Sequence, residues 1–127
     1  MKTENVGDAV LETWTVEEVA QAFDRDEIVL IDVRTVQEYS FEHIVGALLM
    51  PMAFFRPDAL PTQEGKRIVL QCGSGARSCK VAEIALAAGL SPLAHMKGGF
   101  RAWKQAGLPY TGTEMATGVP TAMNADT

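Results

Sequence analysis

Cys72 opens the run Cys72-Gly73-Ser74-Gly75-Ala76-Arg77-Ser78, which holds the residue types that nucleophilic sulfur chemistry needs. A thiol attacks well only as the thiolate. Two glycines directly behind it let the backbone curl tightly and take φ > 0. Successive amide N–H groups of such a curl form an anion-binding nest, and a helix beginning near Arg77 adds the positive end of its dipole. Arg77 and Lys80 add charge of the same sign. These features together predict a cysteine ionised at neutral pH beside a pocket for an oxyanion. The plainer reading is a small core cysteine in an ordinary βα turn, but strand–Cys–Gly–x–Gly–x–Arg–helix is more particular than that requires. A nucleotide-binding loop would end Gly-Lys-Ser/Thr, whereas this one ends Gly75-Ala76-Arg77-Ser78.

Other chemically capable residues stand at neighbouring strand ends. Asp32 and Arg34 follow one apolar run and either line the pocket or tie adjacent loops by charge-assisted hydrogen bonds. His95 and Lys97 precede Gly98-Gly99 and are placed to face the same pocket, with Lys97 a candidate for holding an anion. His43 reads as structural, because an ionised thiol needs no general base. Phe100 and Trp103 read as core or pocket wall. Cys79 is either a resolving thiol for Cys72 or a packed helix residue. A helical first turn keeps the two side chains from the approach a disulfide requires, which favours the second.

The elements that must carry these residues are legible from local patterns. Thr15 with Glu18, and Thr35 with Glu38, have capping-box spacing, so helices are predicted from Val16, with Val19, Ala20 and Phe23 on the apolar face, and over a short stretch after Thr35. Ile28–Ile31 and Ile68–Leu70 are continuous β-branched or leucine runs of the kind buried on both faces of a parallel sheet. Ile44 to Met50 predicts a strand bent at Gly46, Ala53 to Leu60 a helical turn or two, and Pro92 to Met96 a weak strand. A helix from Arg77 with Val81, Ile84, Ala85 and Ala88 inward ends at Gly89. A shorter one from Phe100 to Ala106 is stopped by Gly107 and Pro109. Strands alternating with helices predict an α/β domain with a mainly parallel sheet. The carboxyl ends of such strands are where ligands bind. The domain is assigned to residues 1–110. Residues 111–127 lack periodicity and basic residues and are expected to be a flexible tail.

The 127 residues suit one domain, and 47% hydrophobic with 21% charged residues excludes a disordered or fibrous chain. No apolar run approaches the roughly 20 residues of a membrane helix. Met1 to Asp8 lacks the apolar core of a secretory leader, so a cytoplasmic protein is expected. Two cysteines are too few for a disulfide scaffold or a cysteine zinc site, and no metal is expected. The net charge of −5 argues against nucleic-acid binding. That charge is segregated: from Lys66 to Lys104 there are seven bases against one acid, +6, and elsewhere four bases against fifteen acids, −11. A basic stretch of this kind can draw in a small anion, or it can be no more than solvated helix faces.

Four segments, taken in order, resemble the rhodanese-like (sulfurtransferase) family. They are Ile31-Asp32-Val33-Arg34 with Glu38-Tyr39; Glu42-His43-Ile44-Val45-Gly46-Ala47; the Cys72 to Ser78 loop; and Gly98-Gly99-Phe100-Arg101-Ala102-Trp103 with Ala106-Gly107-Leu108-Pro109. Glu42 and Val45 depart from the family's usual glycine and proline. The resemblance spans about residues 10 to 110. It implies a single rhodanese-like domain with a central, mainly parallel sheet flanked by helices on both faces. It also implies double-displacement chemistry. The Cys72 thiolate takes the sulfane sulfur of thiosulfate or a related anionic donor, sulfite leaves, and cyanide or a thiol accepts the sulfur. The amides of Gly73, Ser74, Gly75, Ala76 and Arg77 would hold the outer sulfur, with no cofactor. The alternatives are a persulfide carrier that docks on a protein acceptor, and a cysteine-dependent phosphatase or arsenate reductase. Four residues separate Cys72 from Arg77, as in sulfurtransferases, against five in the phosphatases. No aspartate general acid is evident nearby.

Overall fold

Thr15 and Thr35 each close a capping box. Thr15 Oγ1 accepts from the Glu18 amide at 3.1 Å while Glu18 Oε1 accepts from the Thr15 amide at 2.9 Å, and Thr35 and Glu38 repeat this at 3.1 and 3.0 Å. These caps start α1 (Val16–Asp24) and α2 (Val36–Phe41). The computed structural model describes residues 1–124. Ahead of α1 lie β1 (Lys2–Val6) and β2 (Ala9–Trp14). The remaining elements are β3 (Ile28–Asp32), β4 (Leu48–Leu49), two single 3-10 turns (Met52–Phe54 and Pro57–Ala59), β5 (Arg67–Gln71), α3 (Ala76–Ala87), β6 (Leu93–Met96), α4 (Gly99–Gln105), β7 (Tyr110–Thr113) and β8 (Pro120–Met123).

The main sheet runs β1-β2-β6-β5-β3-β4, and every pair in it is parallel except β1 with β2. Alternation along the central strands builds two cores. Leu30, Val69 and Met96 face Val19 of α1 and Phe100 and Trp103 of α4. Ile31, Ile68, Leu70 and Leu93 face Val81, Ala82 and Ala85 of α3. Burial on both sides is why these strands read as unbroken apolar runs. The architecture is α/β with a mainly parallel sheet covered by helices on both faces. Among the described residues no helix is long and apolar enough to cross a membrane.

Three stretches differ from the patterns in the chain. Residues 2–14 form a hairpin that extends the sheet, although β1 is exposed throughout and has no core face to betray it. The bent strand expected over 44–50 is only Leu48–Leu49. Gly46 takes φ +94, and a Cβ there would lie 2.8 Å from the Phe23 ring, so the chain turns before it can pair. The tail expected over 111–127 is, as far as residue 124, a hairpin of β7 and β8. Tyr110 is buried against Phe100 with ring centroids 5.2 Å apart. His43 and Thr111 exchange backbone hydrogen bonds of 2.9 and 2.8 Å. All four residues of β8 are exposed, so its sequence carries no hydrophobic period. Residues 125–127 lie outside the described residues.

Candidate functional site

β5 occupies the middle of the sheet between β6 and β3, and Cys72 follows its last residue. The chain then curls through Gly75 at φ +103, in the left-handed region that glycine enters without strain, and α3 begins. The curl brings the Gly75 amide to Cys72 Sγ, donating at 3.0 Å. The Ser78 hydroxyl lies 3.7 Å from the same sulfur.

α4 sets the orientation of this curl. The Phe100 amide donates to the Cys72 carbonyl at 2.7 Å and the Arg101 amide to the Gly73 carbonyl at 3.1 Å. In a trans peptide the N–H points opposite to the C=O. Pulling these two carbonyls toward α4 therefore turns the following amides, those of Gly73 and Ser74, away from it. Gly99 makes the contact possible. It takes φ +62, and a Cβ there would overlap the Cys72 carbonyl oxygen and lie 2.7 Å from Gly73 C and Ser74 N.

Cys72 is fully buried and packs within the α3-side core, so its sulfur lies beneath the loop rather than on the surface. Burial pushes its thiol up. The Ser78 amide and hydroxyl, with the Ser74 and Gly75 amides, outweigh that and hold it below its ordinary value of 9.0. The sulfur thus has apolar walls on one side and main-chain donors on the other, an environment that stabilises an anion without exposing it.

Arg77 does not point its charge at the sulfur. Its Nη1 and Nη2 donate to Glu38 Oε1 and Oε2 at 2.6 and 2.9 Å, a fork on a fork. The bonds from Arg77 outweigh the effect of burial and, with the capping bond from Thr35, hold the Glu38 carboxyl down to about 2. A Cβ on Gly73 would meet Arg77 Nη2 at 3.0 Å, so the guanidinium lies against the curl. Glu38 is therefore a supporting residue that its spacing revealed only as a helix cap.

Asp32 and Arg34 are both buried and bound to each other, with Arg34 Nη2 2.8 Å from Asp32 Oδ2. Arg34 also donates to the Glu42 carbonyl at 2.7 Å and stacks 4.5 Å from the Phe100 ring centroid. The pair ties the end of β3 to the end of α2 and to α4. Lys97 is exposed, and its amide donates to the Trp14 carbonyl at 2.8 Å. His43 Nδ1 donates to the Tyr39 carbonyl at 2.7 Å and the ring stacks on that of Tyr39, away from the Cys72 contacts. His95 is buried and bridges Ser78 and Thr13. Cys79 is half-buried on α3, and both cysteines are free. Burial, then the charges of Glu83 and Glu4, push the Cys79 thiol up, which makes it a poor nucleophile beside Cys72.

Two clefts flank the Arg77–Glu38 pair. One, of about 280 Å³, is lined by Arg34, Glu38, Gly73, Phe100, Arg101 and Lys104 among others. The other, of about 400 Å³, lies beside Arg77 and is walled mainly by Val36, Pro51, Met52, Ala53 and Phe54. Lys97 lines neither. A further cavity of about 420 Å³, which includes Trp14, Glu27 and Gln63, holds no cysteine and none of the loop residues. Among the described residues no three His, Cys, Asp or Glu side chains are grouped to hold a metal ion.

The model of the rhodanese-like domain matches residues 15–106. An uncharacterized protein of Synechocystis is 41% identical over 96 residues, which is 76% of this chain and 54% of that protein. The chain thus spans about half the length of this relative. A thiosulfate sulfurtransferase of Coxiella burnetii, GlpE, is 30% identical over 94 residues, covering 74% of this chain and 82% of the relative. The crystal structure of a thiosulfate sulfurtransferase from Pseudomonas aeruginosa superimposes on 80% of this chain and 20% of its own, with a TM-score of 0.69 and 27% identity.

Proposed function

The chain belongs to the rhodanese-like family, and from that membership we propose that it moves a sulfane sulfur from thiosulfate or a related donor to cyanide or a thiol through a persulfide on Cys72. In the first half the Cys72 thiolate attacks the outer sulfur of the donor. The S–S bond of thiosulfate breaks, sulfite leaves with its electron pair, and Cys72 carries one extra sulfur. In the second half the acceptor attacks that outer sulfur, and the Cys72 thiolate leaves. The amides of residues 73 to 77 hold the outer sulfur, and Arg101 in the smaller cleft meets the donor anion. Arg101 is exposed and has no carboxylate partner among the described residues. Exposed Lys97 adds to the attraction at longer range.

One observation carries this reading: the Gly75 amide aimed at Cys72 Sγ from 3.0 Å, at the start of a helix and on a thiol held below its ordinary value. Intact mass tests it. Thiosulfate is expected to add one sulfur, roughly 32 Da, and cyanide to remove it. Cys72→Ser abolishes the addition and Cys79→Ser keeps it. Addition that survives in Cys72→Ser overturns the assignment.

A second reading, a carrier that hands its sulfur to a protein thiol, is favoured by the larger cleft, where Val36, Met52 and Phe54 are exposed beside Arg77. It predicts full persulfide loading by mass with little turnover on cyanide.

A further inference from the structure

A line of polar groups runs from the reactive sulfur back through the α3-side core. Ser78 Oγ lies 3.7 Å from Cys72 Sγ, 3.2 Å from His95 Nδ1 and 3.2 Å from the Gly75 carbonyl oxygen. His95 Nε2 lies 3.2 Å from Thr13 Oγ1. Ser78 is fully buried and His95 nearly so. They sit beside Ile68, Leu70, Val81 and Leu93, where a polar group is retained only if its partners are satisfied. The register explains the alignment. His95 stands opposite Leu70 of β5 on one side and Thr13 of β2 on the other, and Ser78 lies in the first turn of α3.

The proton count gives this line two settings. A serine hydroxyl has one proton and two lone pairs, and a neutral imidazole has one N–H and one acceptor nitrogen. When His95 carries its proton on Nδ1, it donates to Ser78 Oγ. The Ser78 proton then goes to the sulfur in preference to the Gly75 carbonyl, because an anionic acceptor makes the stronger hydrogen bond, and Nε2 accepts from the Thr13 hydroxyl. When the proton is on Nε2, it is donated to Thr13. Ser78 then donates to Nδ1 and offers a lone pair to the sulfur, which suits an S–H group. The first setting stabilises the thiolate and the second the neutral thiol.

We propose that Ser78 and His95 are positioning residues forming a reversible hydrogen-bond relay, in which the His95 tautomer decides whether Ser78 donates to the Cys72 sulfur or accepts from it. This rests on Cys72 being the reactive thiol of the proposed function. The relay follows the charge on the sulfur through the cycle, donating when the thiolate is present at attack and again when it leaves. Burial lowers the His95 basicity, against the charge of Glu4 on β1, so the ring is held in the neutral form that can take either tautomer. The groups around it are Thr13 of β2, Glu4 of β1, Ser78 of α3 and, through Ser78, Cys72 at the end of β5.

The test uses the full chain in a Cys79→Ser background and needs no sulfur transfer. Thiolate absorbance in the far ultraviolet is followed against pH, with the Cys72→Ser chain subtracted. Ser78→Ala is expected to raise the ionisation midpoint, lowering the thiolate fraction on the rising limb about three- to tenfold, and Ser78→Thr to restore it. Nitrogen-15 spectra of the imidazole at neutral pH are expected to show His95 as the Nδ1–H tautomer in the parent and shifted toward Nε2–H in Cys72→Ser. An unchanged midpoint in a folded Ser78→Ala chain overturns the relay. So does a His95 tautomer indifferent to Cys72, and that measurement decides the matter even where Ser78→Ala does not fold. A chain that forms no persulfide yet shows both effects keeps the relay and rejects the sulfurtransferase reading.

Discussion

Glu38 is the residue that links the sulfur loop to the rest of the molecule. One carboxylate accepts the Thr35 amide at 3.0 Å and both guanidinium nitrogens of Arg77. Its carboxyl falls from the usual 4.5 to about 2. A lowered folded-state value stabilises the native chain above the unfolded value, and that contribution is lost as pH falls through the folded one. The contribution of Glu38 is therefore complete above about pH 4.5 and gone near pH 2. Both partners are more than a third exposed at the side chain, so solvent weakens the pair and its effect on stability is modest. Urea unfolding between pH 6 and pH 3, on the order of one unfolding curve per pH unit, is expected to show a shallower loss of stability in Glu38→Gln than in the parent. Parallel curves would mean that the pair is as strong in the unfolded chain. The charge of Arg77 is thus committed to α2, and in the proposed function the anion-holding task at the loop falls to main-chain amides.

At the scale of elements, the start of α4 is the template for the loop after β5. Two α4 amides hold the Cys72 and Gly73 carbonyls, and Gly99 lets the two backbones touch. Gly99→Ala adds left-handed strain and a backbone overlap that no side chain can relieve. It is expected to destabilise the fold by about 2–4 kcal/mol by urea unfolding and to slow persulfide formation more than about tenfold, because misaligned donors stabilise an anion poorly. A variant as stable and as fast as the parent would show that α4 merely lies nearby. α2 and α3 illustrate a different division of labour. The capping box of α2 can be read from four consecutive residues, but its Glu38 meets Arg77 of α3 only when β3 and β5 lie side by side, since 39 positions separate the two.

For the molecule as a whole, the hairpin at 110–123 closes the α4-side core. Tyr110 sits edge-on to Phe100, and Phe100 in turn supports the Arg34 guanidinium. Tyr110→Ala is expected to destabilise the protein by about 3 kcal/mol in urea unfolding, and a loss below about 1 kcal/mol would mean the hairpin adds little to the core. Folding also rearranges the charge. Of the seven bases between Lys66 and Lys104, four pair with carboxylates brought in from elsewhere: Lys66 with Asp26, Arg67 with Glu12, Arg77 with Glu38 and Lys104 with Glu42. Lys80, Lys97 and Arg101 have no such partner among the described residues, and only Arg101 lines a cleft at the loop. The segregated charge visible along the chain is therefore largely spent inside ion pairs.

Local order in this protein was written in the chain: both capping boxes and the glycine turn that brings the Gly75 amide to Cys72 Sγ depend on contacts within a few residues, and the apolar runs of β3 and β5 mark those strands by residue type. Those are the distances over which residue type and spacing act directly. The three-dimensional arrangement alone decided what surrounds the sulfur. The carbonyl tethers to α4, the ion pair that occupies Arg77 and the Ser78–His95–Thr13 line join residues from 17 to 82 positions apart. Each becomes a contact only when packing of the two cores sets the register of the parallel strands, and no pattern along the chain encodes which strand will lie beside which.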